Sequence, residues 1–90
     1  MRAMHFTLYS RSYCHLCQDM LDALQALNSA SRPFTVDVID VDTDDALVAR
    51  FDELVPVLFG ALDEPELCHY YFDEHKVGQY LAAAGAPKKY

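Results

Sequence analysis

The sequence predicts a three-layer α/β/α sandwich, in the order β-α-β-α-β-β-α, around a four-stranded mixed sheet. Three observations predict it. A short apolar run from Met4 to Tyr9 leads through Ser10-Arg11-Ser12 into an amphipathic helix that opens with Tyr13-Cys14-His15-Leu16-Cys17. A second strand then follows that helix, so the first two strands are expected to be parallel, joined by a right-handed crossover. The last two strands are separated only by the turn at 61–65, and so short a connection makes them antiparallel. Of the 90 residues, 52% are hydrophobic, enough for one domain to have its own core and too many for a disordered chain. Residues 4–86 are read as that single domain, with 87–90 as a loose tail.

Each element has its own local justification. His5-Phe6-Thr7-Leu8-Tyr9 is aromatic and β-branched and reads as a buried central strand. The helix over 14–30 carries Leu16, Met20, Leu21, Leu24 and Leu27 on one stripe, with Gln18, Asp19, Asp22, Gln25 and Asn28 toward water. Pro33 lies beyond it and cannot continue a helix. The strand over 34–41 has aspartates interrupting its apolar run, which suits a sheet edge. Asp42-Thr43-Asp44-Asp45 supplies the cap and first-turn acids of a short helix over 44–53. A calcium loop would want an internal glycine, and this cluster has none, so it is read as a helix cap.

The third strand, 55–60, has Pro56 near its start, a place where a missing N–H is tolerated. The fourth spans 66–71, and Tyr70-Tyr71-Phe72 is read as core. Asp73 is the expected N-cap of the last helix, with Phe72 and Val77 set as a hydrophobic staple. Val77, Tyr80, Leu81 and Ala84 form its apolar stripe, Gly85 fits the position just past its end, and Pro87 follows.

The formal net charge of −7 and scattered Lys and Arg exclude nucleic acid and anionic membrane as expected partners, because phosphate binding needs clustered cations. No apolar run is long enough to span a membrane, and the first residues lack the apolar region of a signal peptide. A cytoplasmic monomer is the expectation. Three cysteines do not make a structural disulfide framework, and their odd number leaves at least one thiol unbridged.

Cys14 and Cys17 carry the chemistry. Three apart at the first turn of a helix, they lie on one face and close enough for a reversible disulfide. The helix N-terminus, with its partial positive charge and unpaired N–H groups, favours the thiolate of Cys14. A strand, a turn and a Cys-x-x-Cys at a helix start together read as a redox motif. Two alternatives stand beside it: a pair of ordinary thiols, or half of a zinc site completed by Cys68-His69, although no second Cys-x-x-Cys is present. No metal is expected. Cys68 reads as a small hydrophobe on a strand, and His5, His69 and His75 as structural or solvated.

With these residues in view, the chain resembles the glutaredoxin branch of the thioredoxin superfamily. Tyr9 to Cys17 is similar to the glutaredoxin active-site stretch, with a basic residue, Arg11, three before the first cysteine and an aromatic, Tyr13, immediately before it. Val55-Pro56 resembles the family's Val-Pro, whose proline is cis. More narrowly, Cys14-His15-Leu16-Cys17, Asp40-Val41-Asp42 and Val55-Pro56-Val57-Leu58 look like the motifs of small bacterial glutaredoxin-like proteins. The resemblance implies a thioredoxin-like fold and a dithiol that reduces protein disulfides or glutathionylated substrates. Cys14 would be the nucleophile and Cys17 the resolving thiol. His15 and Arg11 would tune the thiolate, while Arg11, Tyr13, Val55, Pro56 and Asp73 would hold substrate or glutathione. No cofactor would be bound permanently, and glutathione would serve as a reductant. One departure stands out. Glutaredoxins place a Gly-Gly pair and an acid before the last helix to cradle a glutathione carboxylate, whereas this chain has Tyr70-Tyr71-Phe72-Asp73, which keeps the acid and puts bulky aromatics where the backbone would approach the ligand. A non-catalytic, redox-responsive binding module is therefore the alternative to an enzyme.

Overall fold

The computed structural model describes residues 4–12, 14–28, 33–51 and 54–85. Its elements are β1 (Met4–Ser10), α1 (His15–Gln25), β2 (Phe34–Asp40), a single 3-10 turn (Val41–Thr43), α2 (Asp45–Phe51), β3 (Val57–Phe59), β4 (Cys68–His69) and α3 (Glu74–Gly85). The sheet order is β2-β1-β3-β4. β1 pairs parallel with β2, Ser10 opposite Asp40, and antiparallel with β3, which pairs antiparallel with β4. The expected mixed sheet is present, with β1 at its centre and β2 at its edge.

The alternation of β1 divides the core in two. Phe6 and Leu8 face the side covered by Met20 and Leu24 of α1 and Val77 and Leu81 of α3. Tyr9 faces the other side, packed with Val41, Phe51, Val57 and Phe59. The first cluster is aliphatic with an aromatic hinge, Phe6 meeting Phe34 and Tyr80 edge-on at 5.0 and 5.5 Å between centroids. The second is mainly aromatic, Tyr9 stacking on Phe51 at 4.5 Å. Each fully buried Leu or Phe stabilises the fold by about 1.5–3 kcal/mol relative to exposure.

Five elements are shorter than the sequence predicts, and α1, β3 and β4 differ most. α1 closes at Gln25 instead of running through 14–30, and residues 29–32 lie outside the described chain. Asn28 does not simply face water: its Nδ2 donates to the Phe34 carbonyl at 2.8 Å, and its Oδ1 accepts from the Phe34 amide at 3.1 Å. The side chain thus mimics a strand neighbour for the first residue of β2. β3 keeps only three residues of the expected 55–60, because Pro56 has no N–H to give to a ladder. β4 keeps two residues of 66–71, because Tyr70 adopts φ 63° and turns the chain away. Around Tyr70 the Tyr71 amide donates to the His69 carbonyl at 2.7 Å, a γ-turn.

That turn corrects the reading of Tyr70-Tyr71-Phe72 as core. Tyr71 is 72% exposed and Tyr70 38%, and of the three only Phe72 packs against the interior. An apolar run on a two-residue edge strand leaves its side chains on the outside once the backbone reverses.

The caps follow sequence logic. Asp73 Oδ1 accepts from the Lys76 amide at 3.0 Å at the start of α3. Asp44 Oδ1 accepts from the Ala46 amide at 2.8 Å ahead of α2, which ends at Phe51, and residues 52–53 lie outside the described chain. α3 itself includes Gly85, placed just past its end by the sequence. The expected tail at 87–90 lies outside the described residues. Among the described residues no helix is long and apolar enough to cross a membrane.

Candidate functional site

β1 delivers the chain to the sheet's carboxyl end, and the first residues beyond it form the site. Cys14 is the N-cap of α1, one residue before the helix instead of within it, with extended backbone at φ −105° and ψ 108°. This backbone lets its sulfur turn back over the first turn, where Sγ accepts the Cys17 amide at 3.1 Å. A sulfur thus occupies the place usually taken by a Ser or Asp oxygen, and satisfies one of the helix's unpaired donors. The two sulfurs are bonded as a disulfide, with Cα atoms 5.2 Å apart. Cys17 is 5% exposed, whereas Cys14 is partly exposed.

The pair opens onto a cavity of about 380 Å³ between α1 and the β1–β2 side of the sheet. Arg11, Cys14, His15 and Cys17 contribute its polar wall, and Leu8, Leu21 and Val38 its apolar wall. Val38, opposite Leu8 in the parallel register, is half exposed at the sheet edge. Of the residues singled out from the sequence, Cys14, Cys17, His15 and Arg11 share this cavity, and Val55, Pro56 and Asp73 do not line it. Tyr13 lies outside the described residues. The Val55–Pro56 bond is cis, as the resemblance implies. The Val55 amide donates to the Phe51 carbonyl at 3.2 Å, and the Pro56 carbonyl accepts from the Tyr70 amide at 3.0 Å, so part of this backbone is already engaged.

Arg11 has an acidic partner that sequence reading missed. Its Nε donates to both carboxylate oxygens of Asp42, at 3.2 and 3.1 Å, and an Nη lies 3.1 Å from Oδ1. Asp42 is held in turn by Asp40, whose Oδ1 accepts the Asp42 amide at 2.9 Å and whose Oδ2 accepts from the Ser12 hydroxyl at 3.2 Å. The signal that finds this contact is register. Once Ser10 is set opposite Asp40, the residues just past both strands must meet. Elsewhere, Cys68 is buried on β4 and unbridged, and its burial pushes the thiol up from its ordinary range, keeping it protonated. Cys68 and His69 join no cluster with the redox pair: among the described residues no group of three or more His, Cys, Asp or Glu is placed to hold a metal ion.

A mixed sheet in this order, a cis proline ahead of β3, and a Cys-x-x-Cys bridge capping the first helix define a thioredoxin-like protein with a redox-related site. The chain belongs to the family described as the glutaredoxin-like domain (DUF836), whose model matches residues 5–82. It is similar to the solution structure of protein Ne2328 from Nitrosomonas europaea, at 35% identity and a TM-score of 0.76, over 89% of this chain and 93% of that one. It is also similar to the X-ray structure of target protein XcR50 from X. campestris, at 33% identity and a TM-score of 0.67, over 91% of this chain and 99% of that one. No curated protein matches the chain.

Proposed function

We propose that the protein is a thiol-disulfide oxidoreductase whose Cys14/Cys17 dithiol reduces protein disulfides or glutathione mixed disulfides. The observation that carries this reading is the hydrogen bond from the Cys17 amide to Cys14 Sγ at the start of α1. A donor already aimed at that sulfur, together with the helix's partial positive charge, stabilises a thiolate there once the bridge is reduced. The Cys14 thiolate attacks a substrate disulfide sulfur, forming a mixed disulfide and expelling one substrate thiolate. Cys17, losing its proton, then attacks Cys14 Sγ, closes the intramolecular bridge and releases the second thiolate. The substrate gains two electrons and two protons, and the dithiol supplies both.

His15 is assigned to tuning the thiolate. Arg11, Tyr13, Val55, Pro56 and Asp73 are assigned to substrate, with pairing at Val55 resting on its carbonyl because its amide is engaged. The protein would work as a cytoplasmic monomer without a bound cofactor, and glutathione or another thiol would regenerate it.

A second reading, a non-catalytic redox-responsive binding module, draws on the exposed Tyr70 and Tyr71 in the stretch where glutaredoxins carry glycines. A redox titration separates the two. The protein, with Cys68→Ser as background, is equilibrated in defined glutathione buffers, trapped, and its free thiols counted by mass. A bridge that opens and closes reversibly at about −200 to −230 mV supports the oxidoreductase. A pair that never closes overturns it, and a stable Cys14–glutathione adduct without turnover selects the binding module.

A further inference from the structure

We infer, on the basis of the dithiol reading above, that Asp42 determines substrate choice at this site. By holding Arg11, it directs the dithiol toward disulfides in neutral or basic polypeptide segments and away from small anionic disulfides of the glutathione type.

Three observations converge on this. First, Arg11 carries the guanidinium in the cavity wall beside Cys14, and its Nε faces both oxygens of Asp42. A forked contact of this kind is the one a substrate carboxylate would otherwise make. An anionic substrate reaching for Arg11 must displace an intramolecular carboxylate that is present at effectively high concentration.

Second, the Asp42 side chain is half exposed, but its backbone is fixed in place. Its backbone lies in the 3-10 turn that Asp40 caps, and Asp40 also takes the Ser12 hydroxyl from the loop leading to Cys14. The ends of β1 and β2, set side by side by the parallel register, hold acid and base in contact. Asp40 ends β2 and the acids at 42, 44 and 45 follow it, on a chain of net charge −7. The resulting field opposes the approach of anions and favours neutral or cationic segments.

Third, beside its polar residues, which include Ser10 and Gln18, the wall has an apolar part. Leu8, Leu21 and the half-exposed Val38 offer a place for an aliphatic side chain next to the substrate cysteine. A small tripeptide disulfide with charged ends has nothing to put there.

The chemistry is the exchange already written: the substrate S–S bond is reduced, the Cys14–Cys17 bond forms, and both thiol protons leave on the substrate thiols. A single turnover therefore needs no added reductant.

The test uses the pre-reduced full chain, freed of reductant, with closure of its bridge followed by mass. Three disulfides are compared: a symmetric end-capped peptide with Leu beside its cysteine, the same peptide with Glu in place of Leu, and oxidised glutathione. Each rate is divided by that of dithiothreitol with the same disulfide, which removes intrinsic differences in reactivity. The Leu peptide is expected to react at least tenfold faster than either anionic disulfide. Asp42→Asn is expected to raise the rate with glutathione several-fold and leave the Leu peptide within twofold. Arg11→Gln added to Asp42→Asn is expected to abolish that gain, and Arg11→Gln alone to show none.

Equal normalised rates for the three disulfides overturn the inference, and so does a gain in Asp42→Asn that is the same for all of them. Melting curves of each variant guard against loss of fold, and rescue of anion discrimination by Asp42→Glu separates a charge effect from a structural one. If no disulfide closes the bridge while dithiothreitol reduces all three, the oxidoreductase reading itself fails, and the inference fails with it.

Discussion

The ring of Tyr80 fills the space that a Cβ at Gly60 would occupy. Gly60 directly follows β3 and Tyr80 lies on α3, so this contact sets how closely the helix approaches the sheet. Gly60 does not need a positive φ, so the demand is one of room alone. Gly60→Ala is expected to lower stability by about 1–3 kcal/mol through overpacking. In a Tyr80→Ala background most of that penalty should vanish. Denaturant unfolding of the four proteins in the cycle measures the coupling, and additive effects would show that the contact does not matter.

Gly78 presents the opposite case. It sits inside α3, and a Cβ there would meet nothing within 4 Å. Gly78→Ala should therefore stabilise the protein by about 0.5–1 kcal/mol, chiefly by restricting the unfolded backbone. A rise in melting temperature without change in the redox titration is the expected result.

Asn28 clamps the start of β2 through two hydrogen bonds to Phe34. Asn28→Ala removes both and leaves the Phe34 backbone groups to find water in a partly buried place. A loss of about 1–2 kcal/mol follows, and Asn28→Asp, which keeps the acceptor and loses the donor, should fall between. Urea melts of the three proteins check the order.

The reduced protein should show a wide spread of thiol reactivity. Cys14 is partly exposed and faces the amide donor, while Cys17 and Cys68 are 5% and 8% exposed. Burial also holds Cys68 in its thiol form. At neutral pH, iodoacetamide is expected to modify Cys14 about tenfold faster than either of the others, or more, as thiolate fraction and access dictate. Peptide mapping over time reads the order, and a first modification at Cys17 or Cys68 would contradict it.

Alkaline stability follows from the same kind of burial. Tyr80 is pushed above its ordinary value of 10.0, mainly by burial and then by the charges of Glu64 and Asp63, and Cys68 above 9.0, again mainly by burial. Both groups are neutral when protonated, so the unfolded chain loses its protons first as pH rises. Their contribution is intact below the unfolded values and is lost as pH climbs through the folded ones. Stability should therefore decline above pH about 9, and Tyr80→Phe should flatten the upper part of that decline in melts taken from pH 8 to 11.

Much of this architecture can be read from the chain because its signals are local. The leucine spacing of α1, the Asp73 cap and the short 61–65 connection each act within a few residues. Features set by tertiary geometry were harder to see. Nothing near Asn28 in sequence says that its amide will catch Phe34, and nothing near Arg11 says that Asp42, 31 residues on, will meet it. Tyr70 and Tyr71 misled for a related reason: an aromatic pair predicts burial, but a positive φ at Tyr70 turned the chain outward. The redox pair lay between these extremes. Its spacing announced a bridge, but its position as a helix cap required the backbone itself.

The outer edge of β2, a strand of seven residues, takes no strand among the described residues. Such an edge is a template on which a second molecule could lengthen the sheet. Here Asp37, exposed along that strand, and the acids that follow it place like charge on any copy that tries. This protection is chemical and can be withdrawn. In concentrated salt the charges are screened, the repulsion between molecules fades, and a chain that keeps its fold becomes colloidally fragile. Storage, crystallisation and fibril formation would then be governed by one strand's side chains.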